Sequence, residues 1–207
     1  MDGTLINTEH LGIASWHRAA RRQGTELSDE VIRGFIGHTR PWIIQQLASL
    51  TGDDELAVSL YEGHLTAQDE LCATQLAFMP GAREVLELCR GLGIPVGLAT
   101  TSTHAEVERH LGPLGGIKYF DAITCGEDVE HGKPAPDIYL LAARRADVDP
   151  RDCVVAEDSF SGVRAAHAAG ARVFMVPDLV QPTPEIKALT DGVLGSLSEF
   201  PQAAGLV

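Results

Sequence analysis

Between residues 81 and 177 the apolar and polar positions switch between two periods in a regular succession. GAREVLELCRGLG reads as a helix that ends on glycine, and IPVGLAT follows it as a short buried strand. The cycle then repeats. THAEVERHLG is helical, YFDAITCG extended, APDIYLLAARRA helical, DCVVAED extended, SGVRAAHAAG helical and ARVFMVP extended. Such alternation describes βαβ units and a parallel sheet with helices on both faces. The expected class is α/β, with a Rossmann-like, doubly wound parallel sheet as its core.

Residues from about 10 to 77 follow another pattern. IASWHRAARRQG, RPWIIQQLASLTG and ELAVSLYEGHLTAQDELCATQ carry helical periodicity, with no convincing strand among them. They predict an all-helical insert, a cap, and MPGA at 79–82 marks the return to the α/β pattern, because proline and glycine punctuate element boundaries. The expected organisation is a core of residues 1–11 and 78–207 and a helical cap of residues 12–77.

Composition narrows the classes of partner. With 207 residues and 44% hydrophobic content the chain can bury a full core. A formal charge of −13 repels phosphate backbones and anionic lipid, and no basic patch offsets it, so neither nucleic acid nor a membrane is an expected partner. No apolar run approaches the roughly 20 residues of a membrane span, and the opening residues lack the basic and apolar regions of a signal peptide. Cys72, Cys89, Cys125 and Cys153 show no CxxC spacing, which suits buried thiols in a reducing compartment. The expectation is a soluble cytoplasmic protein, a monomer or weak dimer.

In an open parallel sheet, ligands bind beyond the carboxyl ends of the strands. Thr100, Thr101 and Ser102 lie there after IPVGLA, Glu127 and Asp128 after DAITCG, Lys133 in GKPAPDIY, and Glu157, Asp158 and Ser159 after DCVVA. Asp2-Gly3-Thr4 joins them if a strand precedes it. Carboxylates, hydroxyls and one lysine so placed describe a magnesium and phosphate site. Magnesium takes oxygen ligands and one or two protein carboxylates, a lysine supplies a point charge to a phosphoryl group, and hydroxyls at a helix start donate to its oxygens. Each residue also has a plainer reading: a turn for Asp2-Gly3-Thr4, helix caps for Thr100 to Ser102, solvated charges for Glu127 and Asp128. The histidines make no metal-ligand spacing, and Trp16 and Trp42 read as packing residues.

DGTL, LATTS, GKPAPDIY and VVAEDSFSGVRAAHAAG, in this order and around a helical insert, resemble the haloacid dehalogenase superfamily in its β-phosphoglucomutase and sugar phosphatase branch. The resemblance covers nearly the whole chain. It implies a phosphatase that acts on small phosphorylated metabolites through an aspartyl phosphate, with Mg2+ as cofactor. Asp2 matches the second aspartate of the family's DxDGT motif, the general acid and base, and its backbone carbonyl a metal ligand. Thr100 matches the phosphate-binding hydroxyl, with Thr101 beside it, and Lys133 the lysine that holds phosphate and nucleophile together. Asp158 matches the magnesium ligand, with Glu157 binding the metal directly or through water. IGHTR at 36–40 resembles the branch's specificity loop and puts His38 and Arg40 over the substrate.

Met1 falls at the x of DxDGT, so the resemblance places the nucleophilic aspartate, and an apolar strand ahead of it, before the first residue of the 207. The expectation is a start assigned too late, and a 207-residue form that lacks phosphatase activity and is poorly stable. Two rival readings accompany this one. A phosphosugar mutase is disfavoured by Gly12, which stands where mutase relatives carry a histidine. A non-catalytic phosphate-binding protein is favoured by the missing nucleophile.

Overall fold

A computed structural model describes residues 1–36 and 38–207 and divides the chain into two units, Thr8–Leu76 and Met1–Asn7 with Ala77–Val207. The helical unit starts at Thr8 rather than at residue 12 because α1 (Thr8–Arg22) runs straight out of the opening segment. Leu11, Ser15, Trp16, Ala19 and Ala20 recur at three- and four-residue spacing and form its buried stripe. α2 (Asp29–Arg33) is capped by Ser28, and α3 (Arg40–Thr51) ends at Gly52. α4 (Asp54–Gln75) is capped by Asp53, whose side chain accepts from the Leu56 amide. Trp16, Phe35, Leu47 and Leu60 meet in one cluster, and full burial of each such side chain contributes roughly 1.5–3 kcal/mol.

The second unit carries the alternating pattern: α5 (Ala82–Leu92), β1 (Gly97–Ala99), α6 (His104–Leu111), β2 (Ala122–Thr124), α7 (Asp137–Arg145), β3 (Val154–Glu157), α8 (Phe160–Ala168), β4 (Arg172–Met175), α9 (Pro184–Lys187), β5 (Gly192–Val193) and α10 (Phe200–Ala204). Among the described residues these strands pair in parallel. Alternation along β4 shows the double winding. Val173 and Met175 pack with Ile138 of α7 and Val163 and Ala166 of α8, whereas Phe174 packs with Val85 of α5 and Phe200 of α10. β3 divides the same way, with Val155 on the first face and Val154 and Ala156 on the second.

The α/β class therefore stands, but the described strands pair as two sheets, β1-β2 and β3-β4-β5, and not as one. β1 and β3 each form the end of their sheet. The opening residues make no strand: Asp2 and Ile6 form isolated bridges around a tight turn, in which the Gly3 amide donates to the Ile6 carbonyl at 3.0 Å. Gly3 sits at φ 69°, a left-handed conformation that glycine adopts without strain.

Candidate active site

The carboxyl ends of β1 and β3 and the opening turn bring most of the expected residues together. Thr100, 2% exposed, follows β1, and its hydroxyl donates to Ser102 Oγ at 3.0 Å. Ser102 Oγ in turn donates to Asp2 Oδ2 at 2.7 Å. The left-handed Gly3 turn then sends Thr4 towards β3, where Thr4 Oγ1 donates to Asp158 Oδ1 at 2.5 Å. Thr101 is exposed, beside these residues in the loop before α6.

Lys133 enters from the loop that precedes α7. Its Nζ donates to the Ala99 carbonyl at 3.2 Å, at the end of β1, and to Glu157 Oε1, at the end of β3. Both side chains of that ion pair are buried. Glu157 is committed on both oxygens: Tyr139 Oη also donates to Oε1, and Ser159 Oγ donates to Oε2 at 3.1 Å. The geometry makes Glu157 the anchor that points Lys133 along the strand ends. Gly162 completes this pocket, since a Cβ there would come within 2.1 Å of the Glu157 carboxylate.

The two neighbouring carboxyls are driven apart. Burial opposes charge on Glu157, but the Lys133 ammonium, aided by the Met1 amino group and the hydrogen bonds from Lys133 and Tyr139, holds it below the ordinary range. Burial and the adjacent Glu157 charge push Asp158 up to about 6, against the pull of the Thr4 hydroxyl and the Met1 amino group. Burial and the Glu157 charge likewise raise Tyr139 well above its usual range, so it remains a neutral donor. A magnesium ion fits at Asp158: the donors are oxygens, and a cation would offset the unfavourable charge that burial and Glu157 impose there.

Other residues from the sequence reading have structural employment. Glu127 accepts from the His104 amide at the start of α6, and Asp128 pairs with Arg145 at 2.8 Å and accepts from the Cys125 amide. Arg145 and the Cys125 amide hold the Asp128 carboxyl well below the carboxylate range. Arg40 and His38 take their contacts within the helical unit: Arg40 pairs with Glu62 at 3.3 Å and lies over the Tyr61 ring, and His38 stacks on Trp42. Gly37 of the IGHTR segment lies outside the described residues. Tyr139 and Thr4 are the residues whose roles the sequence reading missed. A tyrosine on the buried face of the helix after GKPAP carried the signal, because a buried hydroxyl needs a polar partner.

Carboxylates, hydroxyls and a lysine gathered at the carboxyl ends of parallel strands define an α/β protein of the phosphoryl-handling kind. The comparisons agree with that class. The family described as haloacid dehalogenase-like hydrolase matches residues 1–176, and this chain belongs to it. It is 34% identical over 210 residues to validoxylamine A 7'-phosphate phosphatase of Streptomyces hygroscopicus subsp. limoneus, covering 96% of this chain and 92% of that protein. Its identity to a phosphorylated carbohydrates phosphatase of Thermotoga maritima is 34% over 174 residues, 82% of this chain and 79% of that one. Among solved structures, a haloacid dehalogenase family hydrolase of Deinococcus radiodurans with bound phosphate and sodium superposes with a TM-score of 0.82 at 25% identity, covering 99% and 93%. By lineage the chain stands among hydrolases of the phosphatase kind, and the similar proteins named above are phosphatases of phosphorylated metabolites.

Proposed function

We propose that this protein is a magnesium-dependent phosphatase of small phosphorylated metabolites, sugar phosphates foremost, working through an aspartyl phosphate. The observation that supports it is the run of hydrogen bonds from Thr100 through Ser102 to Asp2, beside Lys133 at the same strand ends. In this reading Lys133 Nζ and Thr100 Oγ1, with Thr101 beside it, hold the phosphoryl oxygens. As an attacking carboxylate displaces the substrate alcohol, Asp2 gives its proton to the departing ester oxygen. Asp2 then takes a proton from the water that attacks phosphorus and frees the carboxylate. Asp158 and the Asp2 carbonyl would hold magnesium, which offsets the charge of the phosphoryl group. Glu157 acts through Lys133, because its oxygens are already engaged.

The attacking aspartate corresponds to the position one residue ahead of Met1, so turnover is proposed for a chain that carries an aspartate there. The 207 residues by themselves are proposed to bind the ester without hydrolysing it. Cys72, Cys89, Cys125 and Cys153 are free thiols, which supports work in a reducing compartment such as the cytoplasm; a monomer or weak dimer is proposed there, and no helix among the described residues is long and apolar enough to cross a membrane.

The test is phosphate release from a panel of sugar phosphates by forms with and without aspartate before Met1. Release only by the aspartate form, abolished in Lys133→Ala, is expected. Conversion of β-glucose 1-phosphate to the 6-phosphate without release would favour the mutase reading. Phosphate binding without turnover in either form would favour the non-catalytic one.

A further inference from the structure

β1 and β2 pair in parallel with Ala99 opposite Thr124, so the loops that leave them start at the same end of the sheet. They stay together. The Gly126 amide donates to the Ser102 carbonyl at 3.2 Å, and a Cβ on Gly126 would come within 2.5 Å of the Thr101 carbonyl oxygen, so the close approach depends on glycine. The Glu127 carboxylate accepts from the His104 amide at 3.0 Å, which holds the first residue of α6 against the turn Gly126–Asp128. Three side chains of different chemistry meet there. They are His104, Cys125 and Asp128, whose donor atoms all lie within 4.8 Å of one another.

Each of the three is held in a way that suits a cation. His104 Nε2 stands 3.1 Å from both oxygens of Asp128, close to the separation of about 3.3–3.7 Å that two ligand atoms keep around a tetrahedral zinc. Asp128 stays charged, since Arg145 and the Cys125 amide hold its carboxyl well below the carboxylate range. Arg145 does not occupy the position: its Nη1 bonds Asp128 Oδ2 at 2.8 Å and the Ile123 carbonyl at 2.7 Å, and leaves Oδ1 to His104. Cys125 and Asp128 also fix each other, because the Cys125 amide donates to Asp128 Oδ2 at 2.8 Å and the Asp128 amide to the Cys125 sulfur. The thiol is buried beside two carboxylates, and burial, Asp128 and Glu127 push it up to about 11. A coordinated dication reverses that balance and deprotonates a thiol outright. His104 is exposed and provides the way in from solvent.

From this geometry we infer that His104 Nε2, Cys125 Sγ and Asp128 Oδ1 form a site for a divalent cation of the zinc class, with water in the fourth place. Sulfur and imidazole select that class over magnesium, which takes oxygen ligands. Binding breaks the Cys125 S–H bond and releases its proton to solvent, while His104 carries its ring proton on Nδ1. Thiolate and carboxylate together neutralise the dication. The bound ion ties the loop that carries Thr100 and Ser102 to the carboxyl end of β2, and so braces the phosphate-side hydroxyls from outside. This site shares no ligand with the proposed magnesium position at Asp158 and is independent of the phosphatase reading. No spacing along the chain announces it, because its donors come from two loops that only strand pairing brings together.

The experiment titrates the untagged, reduced 207-residue protein with cobalt(II), whose bond to a thiolate gives a near-ultraviolet charge-transfer band, and then displaces the cobalt with zinc. A band that saturates at one equivalent is expected, lost on adding zinc and untouched by excess magnesium. His104→Ala removes a ligand from an exposed position and should weaken the affinity by about tenfold or more. Cys125→Ser should abolish the band. Zinc is also expected to slow amide exchange at Ser102 and Thr103 in the parent and not in His104→Ala. Should Cys125→Ser fail to fold, the affinity and exchange of His104→Ala carry the test. Absence of a band in the parent, a band that survives Cys125→Ser, unchanged affinity in His104→Ala, or displacement of cobalt by magnesium would each overturn the inference.

Discussion

Thr4 Oγ1 meets Asp158 Oδ1 at 2.5 Å, joining residues 154 positions apart in the chain and fastening the opening turn to the end of β3. A hydrogen bond to a charged acceptor is worth about 1.5–3 kcal/mol. Thr4→Val is expected to lower stability by that amount and to weaken magnesium binding, while Thr4→Ser retains both. Calorimetric titration with magnesium and urea unfolding check it. A Thr4→Val protein that binds magnesium as the parent does would remove Thr4 from the site.

Lys133 and Glu157 form a buried pair, and removing one partner leaves the other charge uncompensated. Lys133→Met and Glu157→Gln are each expected to cost about 3–5 kcal/mol, and the double variant less than their sum. Urea midpoints of the four proteins give the coupling. Simple additivity would show that the two side chains do not act together.

Gly162→Ala places a methyl group against the Glu157 carboxylate. Overpacking of this kind costs about 1–3 kcal/mol, so the melting temperature should fall. An unchanged melting temperature would mean that α8 starts with more slack than its hydrogen bond from the Gly162 amide to Ser159 implies.

His64 lies in the helical unit, stacked on Trp16 at 4.0 Å with Nδ1 at 2.6 Å from Ser15 Oγ. Burial lowers its pKa to about 4. The neutral ring is the folded form, so the contribution is fully present above about pH 6.5 and is lost as pH falls towards 4. Because the ring is only half-buried, about 2 kcal/mol is expected and not the full value of the shift. Stability measured by urea denaturation should fall less steeply from pH 7 to 4.5 in His64→Phe than in the parent. Identical pH slopes would exclude the histidine.

Much of the site was legible because it is written locally. Thr100 and Asp158 each follow a short apolar run that marks a strand, and strand ends are where a parallel sheet binds ligands, while Asp2 and Lys133 stand in the short DGTL and GKPAPDIY motifs. Glu127 and Asp128 satisfied the same criterion and went elsewhere. Their partners, the His104 amide and Arg145, lie 23 and 17 residues away, and no pattern along the chain records such pairing.

The sequence by itself determined the alternation of strand and helix, the all-helical insert and the residue types at the strand ends, since these follow from periodicity and local turn chemistry. Only the tertiary structure decided which carboxylate stays committed and which stays open. Glu157 and Asp158 are adjacent in sequence, but strand geometry turns one towards Lys133 and Tyr139 and the other towards Thr4; burial opposes charge on both, and the Lys133 ammonium overcomes it at Glu157 alone. The division of the sheet between β1 and β3 is likewise a tertiary fact, because strand pairing depends on which edges meet in space and not on the pattern within any one strand.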